Sequence, residues 1–156
     1  MTRKAEFNAE EWSTVTAAPA LAAIAVAAAD RGGTLREGMS MARTYQEARR
    51  TEHTELVEEL LASPPGVSPT PATDAEQLRE RAMTAVRGAS DLLREKATAP
   101  ELRDFGDFVV RVCEAVARAH KEGGVLGLGG KEVSEPEQAV LDAIAAALGP
   151  RPARDA

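Results

Sequence analysis

The sequence predicts an all-α fold, a single domain of about five main helices in a bundle, with two helix–glycine-loop–helix hairpins flanking a central helix. Three observations lead there. Alanine supplies 31 of the 156 residues and aromatics only 3%, a composition that lets helices approach closely. Five Ser, Thr or Asn residues stand three positions ahead of a glutamate and just before an alanine- or leucine-rich run, the reciprocal arrangement that starts a helix. No run alternates apolar and polar residues as a half-buried strand would.

The five starts are Asn8/Glu11, Thr34/Glu37, Thr73/Glu76, Thr98/Glu101 and Ser134/Glu137. Gly32-Gly33, Pro64-Pro65, Gly123-Gly124 and Gly149-Pro150 supply stops, because glycine takes a C-terminal left-handed conformation cheaply and proline cannot continue a helix. The helices predicted are 9–30, 35–62, 74–97, 99–122 and 135–148. Phe7 and Trp12 stand at the positions of a hydrophobic staple around the first cap. Pro19 is expected to split that helix, since an interior proline loses a hydrogen bond and clashes with the preceding turn. The second helix turns strongly polar between Tyr45 and Leu56, which reads as a segment either solvated or packed on a partner. In the third, Leu78, Ala82, Ala85, Ala89, Leu92 and Leu93 form a narrow small-residue face. In the fourth, Leu102, Phe105, Val109, Val112, Cys113 and Val116 form one apolar face. Organisation follows: N-terminal helices over 6–62, a proline-rich linker over 63–73, C-terminal helices over 74–149 and a disordered tail over 150–156.

Net charge is −6, which argues against a nucleic-acid partner, because such a partner needs a basic footprint. Cys113 is the sole cysteine and cannot form an intramolecular disulfide. The chain opens with acids where a signal peptide carries an apolar run, and the apolar stretch 17–29 is shorter than the ~20 residues of a membrane span. A cytoplasmic protein without a membrane partner is expected. Fifteen arginines to four lysines, with abundant alanine, point to a GC-rich bacterial gene.

Five of the twelve glycines fall between 123 and 130. A phosphate loop would need glycine at Val125 and Ser or Thr at Glu132, and should follow a strand, so that reading fails. Gly124, Val125, Leu126, Gly127 and Leu128 read either as a shaped connection tucking its side chains onto the helices or as a loop that docks a partner.

His53 and His120 are the two histidines, each placed by helical arithmetic on the apolar side of its helix. Cys113 and His120 are two turns apart, about 10 Å along the axis, so no thiol–imidazole dyad forms within the helix. Cys113 reads as a small buried hydrophobe. Neither Glu-x-x-His nor H-E-x-x-H occurs, and a histidine metal site would need His53 and His120 to meet with carboxylates such as Glu52 or Glu122. Otherwise these side chains bond backbone or solvent at the core margin. Together His53, His120 and Cys113 mark the place where a pocket would form. No catalytic constellation is legible, so the expectation is a protein that is not an enzyme.

Val26–Gly33 and Val116–Gly124 look alike, each ending an apolar helix and leading through glycines to a capped helix. Asp30-Arg31-Gly32-Gly33-Thr34-Leu35-Arg36-Glu37 and Gly129-Gly130-Lys131-Glu132-Val133-Ser134-Glu135-Pro136-Glu137 are the two turns concerned. On these turns, about a quarter of the chain, it resembles small all-helical bacterial proteins and, more distantly, the tellurite-resistance TerB-like proteins. That resemblance implies an all-helical fold and a divalent-cation site using Asp30, Glu37 and Glu137, although glycines stand in the second turn where that family has its aspartate. The residues alone read Glu37 and Glu137 as capping-box members. No cofactor other than such a cation is expected. The leading functional expectation is a non-enzymatic helical interaction module, self-associating or bound to a protein partner. A cation-binding stress protein is the alternative, followed by a small-molecule binder or enzyme with a pocket near His53 and His120.

Overall fold

A computed structural model describes residues 1–29, 35–63, 74–122 and 133–150, with backbone alone at 35–37 and 120–122. The described residues form a short 3-10 turn, Lys4–Glu6, and the helices α1 (Ala9–Ala29), α2 (Leu35–Ala48), α3 (Glu55–Ala62), α4 (Ala75–Lys96), α5 (Ala99–Glu122) and α6 (Glu135–Leu148), with no strand among them. The expected all-α bundle is the observed architecture.

Helix α1 is apolar on nearly every side, and eleven of its 21 residues are buried. A helix of that composition belongs in the middle of a bundle. It lies along α4 most extensively and also meets α5 and α6. The centre is therefore α1, and α2 lies chiefly on α5 instead of folding back on α1. By length and composition α1 could also cross a membrane, with a mean hydropathy of 1.6 over 18 residues, but 61% of that stretch is buried inside the protein. The span is longer than the apolar run 17–29 suggested, because Trp12, Val15 and the threonines near them extend the helix toward its N-terminus.

Phe7 and Trp12 form the expected staple, their ring centroids 5.5 Å apart. Asn8 Oδ1 accepts from the N–H groups of Glu10 and Glu11 at 3.0 and 2.9 Å, and Glu11 Oε2 accepts from Asn8 N–H at 2.9 Å. The helix runs unbroken through Pro19, which is buried. The proline withholds one hydrogen bond, and burial of a long apolar helix against α4 outweighs that loss of roughly 3 kcal/mol.

The α5 face is as expected, with Phe105, Val109, Val112, Cys113 and Val116 buried and Leu102 half-buried. On α4 the buried line runs through Ala82, Val86, Ala89 and Leu93, while Leu78, Ala85 and Leu92 are half-buried at its edge. The cap of α4 is Asp74, whose Oδ1 accepts from Gln77 N–H at 2.9 Å, in place of the predicted Thr73/Glu76 pair. An aspartate one residue later performs the same task with its own carboxylate. Thr34, the linker 64–73 and the tail 151–156 lie outside the described residues.

The predicted helix 35–62 is two helices, interrupted over 49–54. No apolar side chain falls between Ala48 and Leu56, so no stripe holds that stretch on the core. The end of α2 tightens instead, as Arg50 N–H donates to Glu47 and Thr51 N–H to Ala48, three residues back.

Candidate functional site

The interruption between α2 and α3 places chemistry-bearing side chains against α5. Thr54 has the extended conformation of a helix cap but makes no side-chain cap bond. It is turned to Asp104 on α5 instead: its N–H donates to Asp104 Oδ2 at 2.7 Å, and its hydroxyl to the same oxygen at 2.9 Å. Asp104 Oδ1 is 2.9 Å from His53 Nδ1. A carboxylate only accepts, so Nδ1 carries a proton and Nε2 faces the other way. There it meets Thr51 Oγ1 at 3.0 Å. The His53 side chain is only 4% exposed and lies edge-on to Phe108, which itself packs edge-on to Tyr45.

Asp104, His53 and Thr51 thus form an ordered hydrogen-bonded row from α5 outward. The row ends at a pocket of about 210 Å³, with Ala48, Leu61 and Ala62 as its apolar lining and Arg49, Thr51, His53 and Glu58 as its polar groups. Arg49 Nε donates to the Leu61 carbonyl at 2.9 Å, which fixes the guanidinium at the pocket wall. A basic residue, a hydroxyl and an imidazole nitrogen on one small concave surface make an anion-binding set, and Glu58 adds an acceptor.

His53 is therefore not on a helix, as the unbroken 35–62 segment implied, but in the turn, bonded to side chains of Asp104 and Thr51. Cys113 does not share its pocket. It lines a separate groove of about 310 Å³ between α5 and α6, together with Glu114, Arg118, Val133 and Asp142. Burial, with Glu114 adding, pushes the Cys113 thiol up to about 12, which fits a buried hydrophobe and not a nucleophile. Burial also raises the Tyr45 phenol, with Cys113 adding, and its buried hydroxyl has no hydrogen-bond partner. The His120 side chain lies outside the described residues.

Asp30 and the loop residues Gly124, Val125, Leu126, Gly127 and Leu128 are also outside them, as is the Glu37 side chain. Glu137 is in the capping box: its Oε2 accepts from Ser134 N–H at 3.0 Å, and its N–H donates to Ser134 Oγ at 3.4 Å. Its other carboxylate oxygen is buried without a partner. Among the described residues no group of three or more His, Cys, Asp or Glu side chains could hold a metal ion.

Arg49, Thr51, Glu58 and Asp104 were not singled out from the sequence. Two signals point to them. Arg49–Glu55 is seven polar residues in a row, a gap too long for a packed helix, with Thr51 two residues before His53 and Thr54 one after it. Asp104 stands four residues before the buried Phe108, on a face that looks inward.

Compared with protein-family models, curated proteins and solved structures, the chain matches none.

Proposed function

We propose that this protein binds a small molecule carrying an oxyanion, a carboxylate or a phosphate, in the pocket between α2 and α3. The observation that carries this reading is the convergence of Arg49, Thr51 and His53 on one cavity. Arginine pairs with planar oxyanions through its fork of N–H donors, and a hydroxyl and an imidazole complete the hydrogen-bond set. At about 210 Å³ the cavity is below the roughly 300–1,000 Å³ that holds drug-sized ligands, so the ligand is a small metabolite. Glu58 on the same wall favours a ligand that also carries an amine. The test is a thermal-shift and calorimetric panel of small carboxylates, amino acids and phosphates on the whole chain. A ligand that binds the folded state raises its stability by mass action. Saturable binding that is lost in Arg49→Gln supports the reading, and no binding by any member of the panel ends it.

A second reading, the self-associating helical interaction module, is favoured by the half-buried Val110, Val133 and Leu141 along the α5–α6 groove. Among the described residues the large hydrophobics that are well exposed are Met1 and Met39, so this groove is where association would be sought. Light scattering across concentration tests it, and a strict monomer would end it. The divalent-cation reading has the unpartnered buried oxygen of Glu137 on its side. Calorimetry with Ca²⁺, Zn²⁺ and Mn²⁺ decides that one.

A further inference from the structure

We propose that Thr51 is a nucleophile activated by His53, and that the pocket carries out acyl transfer from a short carboxylic ester. This rests on the pocket reading above and goes further, because it assigns a reaction and a reacting atom. Fastening the 49–54 turn to α5 requires only the bonds from Thr54 and His53 Nδ1 to Asp104. The third bond, Thr51 Oγ1 to His53 Nε2 at 3.0 Å, adds nothing to that fastening. It is the bond that a general base makes to a hydroxyl nucleophile. Exposure divides the same way: the Thr51 residue is exposed and lines the pocket, while the imidazole behind it is nearly covered.

The protons can be counted in two arrangements. Thr51 Oγ1 is also 2.9 Å from the Ala48 carbonyl. With a neutral imidazole, Nδ1–H donates to Asp104 and the Thr51 hydroxyl turns its proton to Nε2. With an imidazolium, both ring nitrogens donate, to Asp104 and to Thr51 Oγ1, and the hydroxyl proton turns to the Ala48 carbonyl. Ala48 O already accepts from Thr51 N–H at 3.1 Å, so it is left with a partner in either arrangement. Both the base and its conjugate acid are thus provided for, without movement of the heavy atoms.

The reaction starts from the first arrangement, and the imidazolium it forms holds the proton given up by Thr51; the second arrangement is the same site with one further proton taken from solvent. Thr51 Oγ bonds to the acyl carbon as its proton passes to His53 Nε2, and the Arg49 guanidinium faces the oxygen on which negative charge develops. The carbon–oxygen bond to the alcohol then breaks, and the imidazolium returns its proton to the leaving oxygen. Water repeats the sequence on the Thr51 ester and releases a carboxylate, the kind of anion the pocket is proposed to hold. Asp104 touches no reacting atom and is a positioning residue, holding the imidazole by Nδ1–H.

The experiment treats the full chain with p-nitrophenyl acetate, follows p-nitrophenolate release, and maps the acetyl group by peptide mass. In parallel, binding of acetate and inorganic phosphate is read by thermal shift. Wild type and Thr51→Ser are expected to carry acetyl at position 51. Thr51→Ala and His53→Gln are expected to lose release by at least ~100-fold. Retention by Thr51→Ser separates lost chemistry from lost fold. Asp104→Asn is expected to slow acylation at least ~10-fold while the anion shift persists, whereas a merely structural role would remove both. Equal release by wild type and Thr51→Ala, or acetyl confined to lysine or to His53, overturns the proposal. Anion binding without acetyl at Thr51 leaves the pocket reading standing and the nucleophile refuted; acetylation without anion binding does the reverse.

Discussion

Glu101 shows how much one carboxylate can do at the residue scale. It is nearly fully buried and collects Thr2 N–H at 2.6 Å, Thr98 N–H at 2.8 Å, and the hydroxyls of Thr2 and Thr98 at 2.9 and 2.8 Å. Burial alone would raise its pKa, but these four donors together hold it down to about 2, against an ordinary 4.5. The depressed value means that the fold favours the charged form. Its stabilisation is fully present above pH 4.5 and is lost as pH falls from there toward 2. A shift of that size corresponds to about 3 kcal/mol. Urea unfolding at a series of pH values should show stability falling through this window, and Glu101→Gln should flatten the fall while costing about 3 kcal/mol at neutral pH. An unchanged acid limb in that variant would contradict the assignment. The Thr98/Glu101 half of this cluster is legible in the sequence, since it is a local capping box. Thr2 is not, because it arrives from 99 residues away. His53 is the same case in another place: its chemistry is legible, and its partner Asp104, 51 residues on, is not.

At the scale of elements, local signals do well where both partners lie within one turn. Asn8/Glu11, Thr98/Glu101 and Ser134/Glu137 all form the expected reciprocal caps. Asn8→Ala should therefore cost about 1 kcal/mol, read as a lowered thermal midpoint. Local signals mislead where tertiary packing outweighs them. The break expected at Pro19 does not occur because α1 is enclosed, and the continuous helix expected over 35–62 does not form because its middle has nothing to bury. Gly38, inside α2, offers a clean measure of intrinsic propensity, since a Cβ there would meet nothing within 4 Å. Gly38→Ala should stabilise the protein by roughly 0.5–1 kcal/mol. Gly88 differs, because a Cβ there would come within 3.3 Å of Thr14 Cγ2 at the α1–α4 contact.

For the molecule as a whole, an alanine-rich helix packed against α4, α5 and α6 makes a frame, and such frames display function at their interruptions. One such interruption is the turn between α2 and α3. Pinned to α5 by Asp104 and bordered by Arg49, it brings a guanidinium, a hydroxyl and an imidazole together on a cavity with an apolar lining. The bundle was legible from composition and caps, whereas the pocket was not, because it forms only where the polar stretch 49–54 interrupts the expected helix and Asp104, 51 residues beyond His53, fixes that turn. The decisive measurement is a titration of the whole protein with small carboxylates, amino acids and phosphates, run side by side on wild type and Arg49→Gln. Wild type should bind at least one oxyanion saturably, and Arg49→Gln, melting at the same temperature, should not. No saturable binding to wild type, or equal binding to both proteins, would contradict an oxyanion pocket at Arg49.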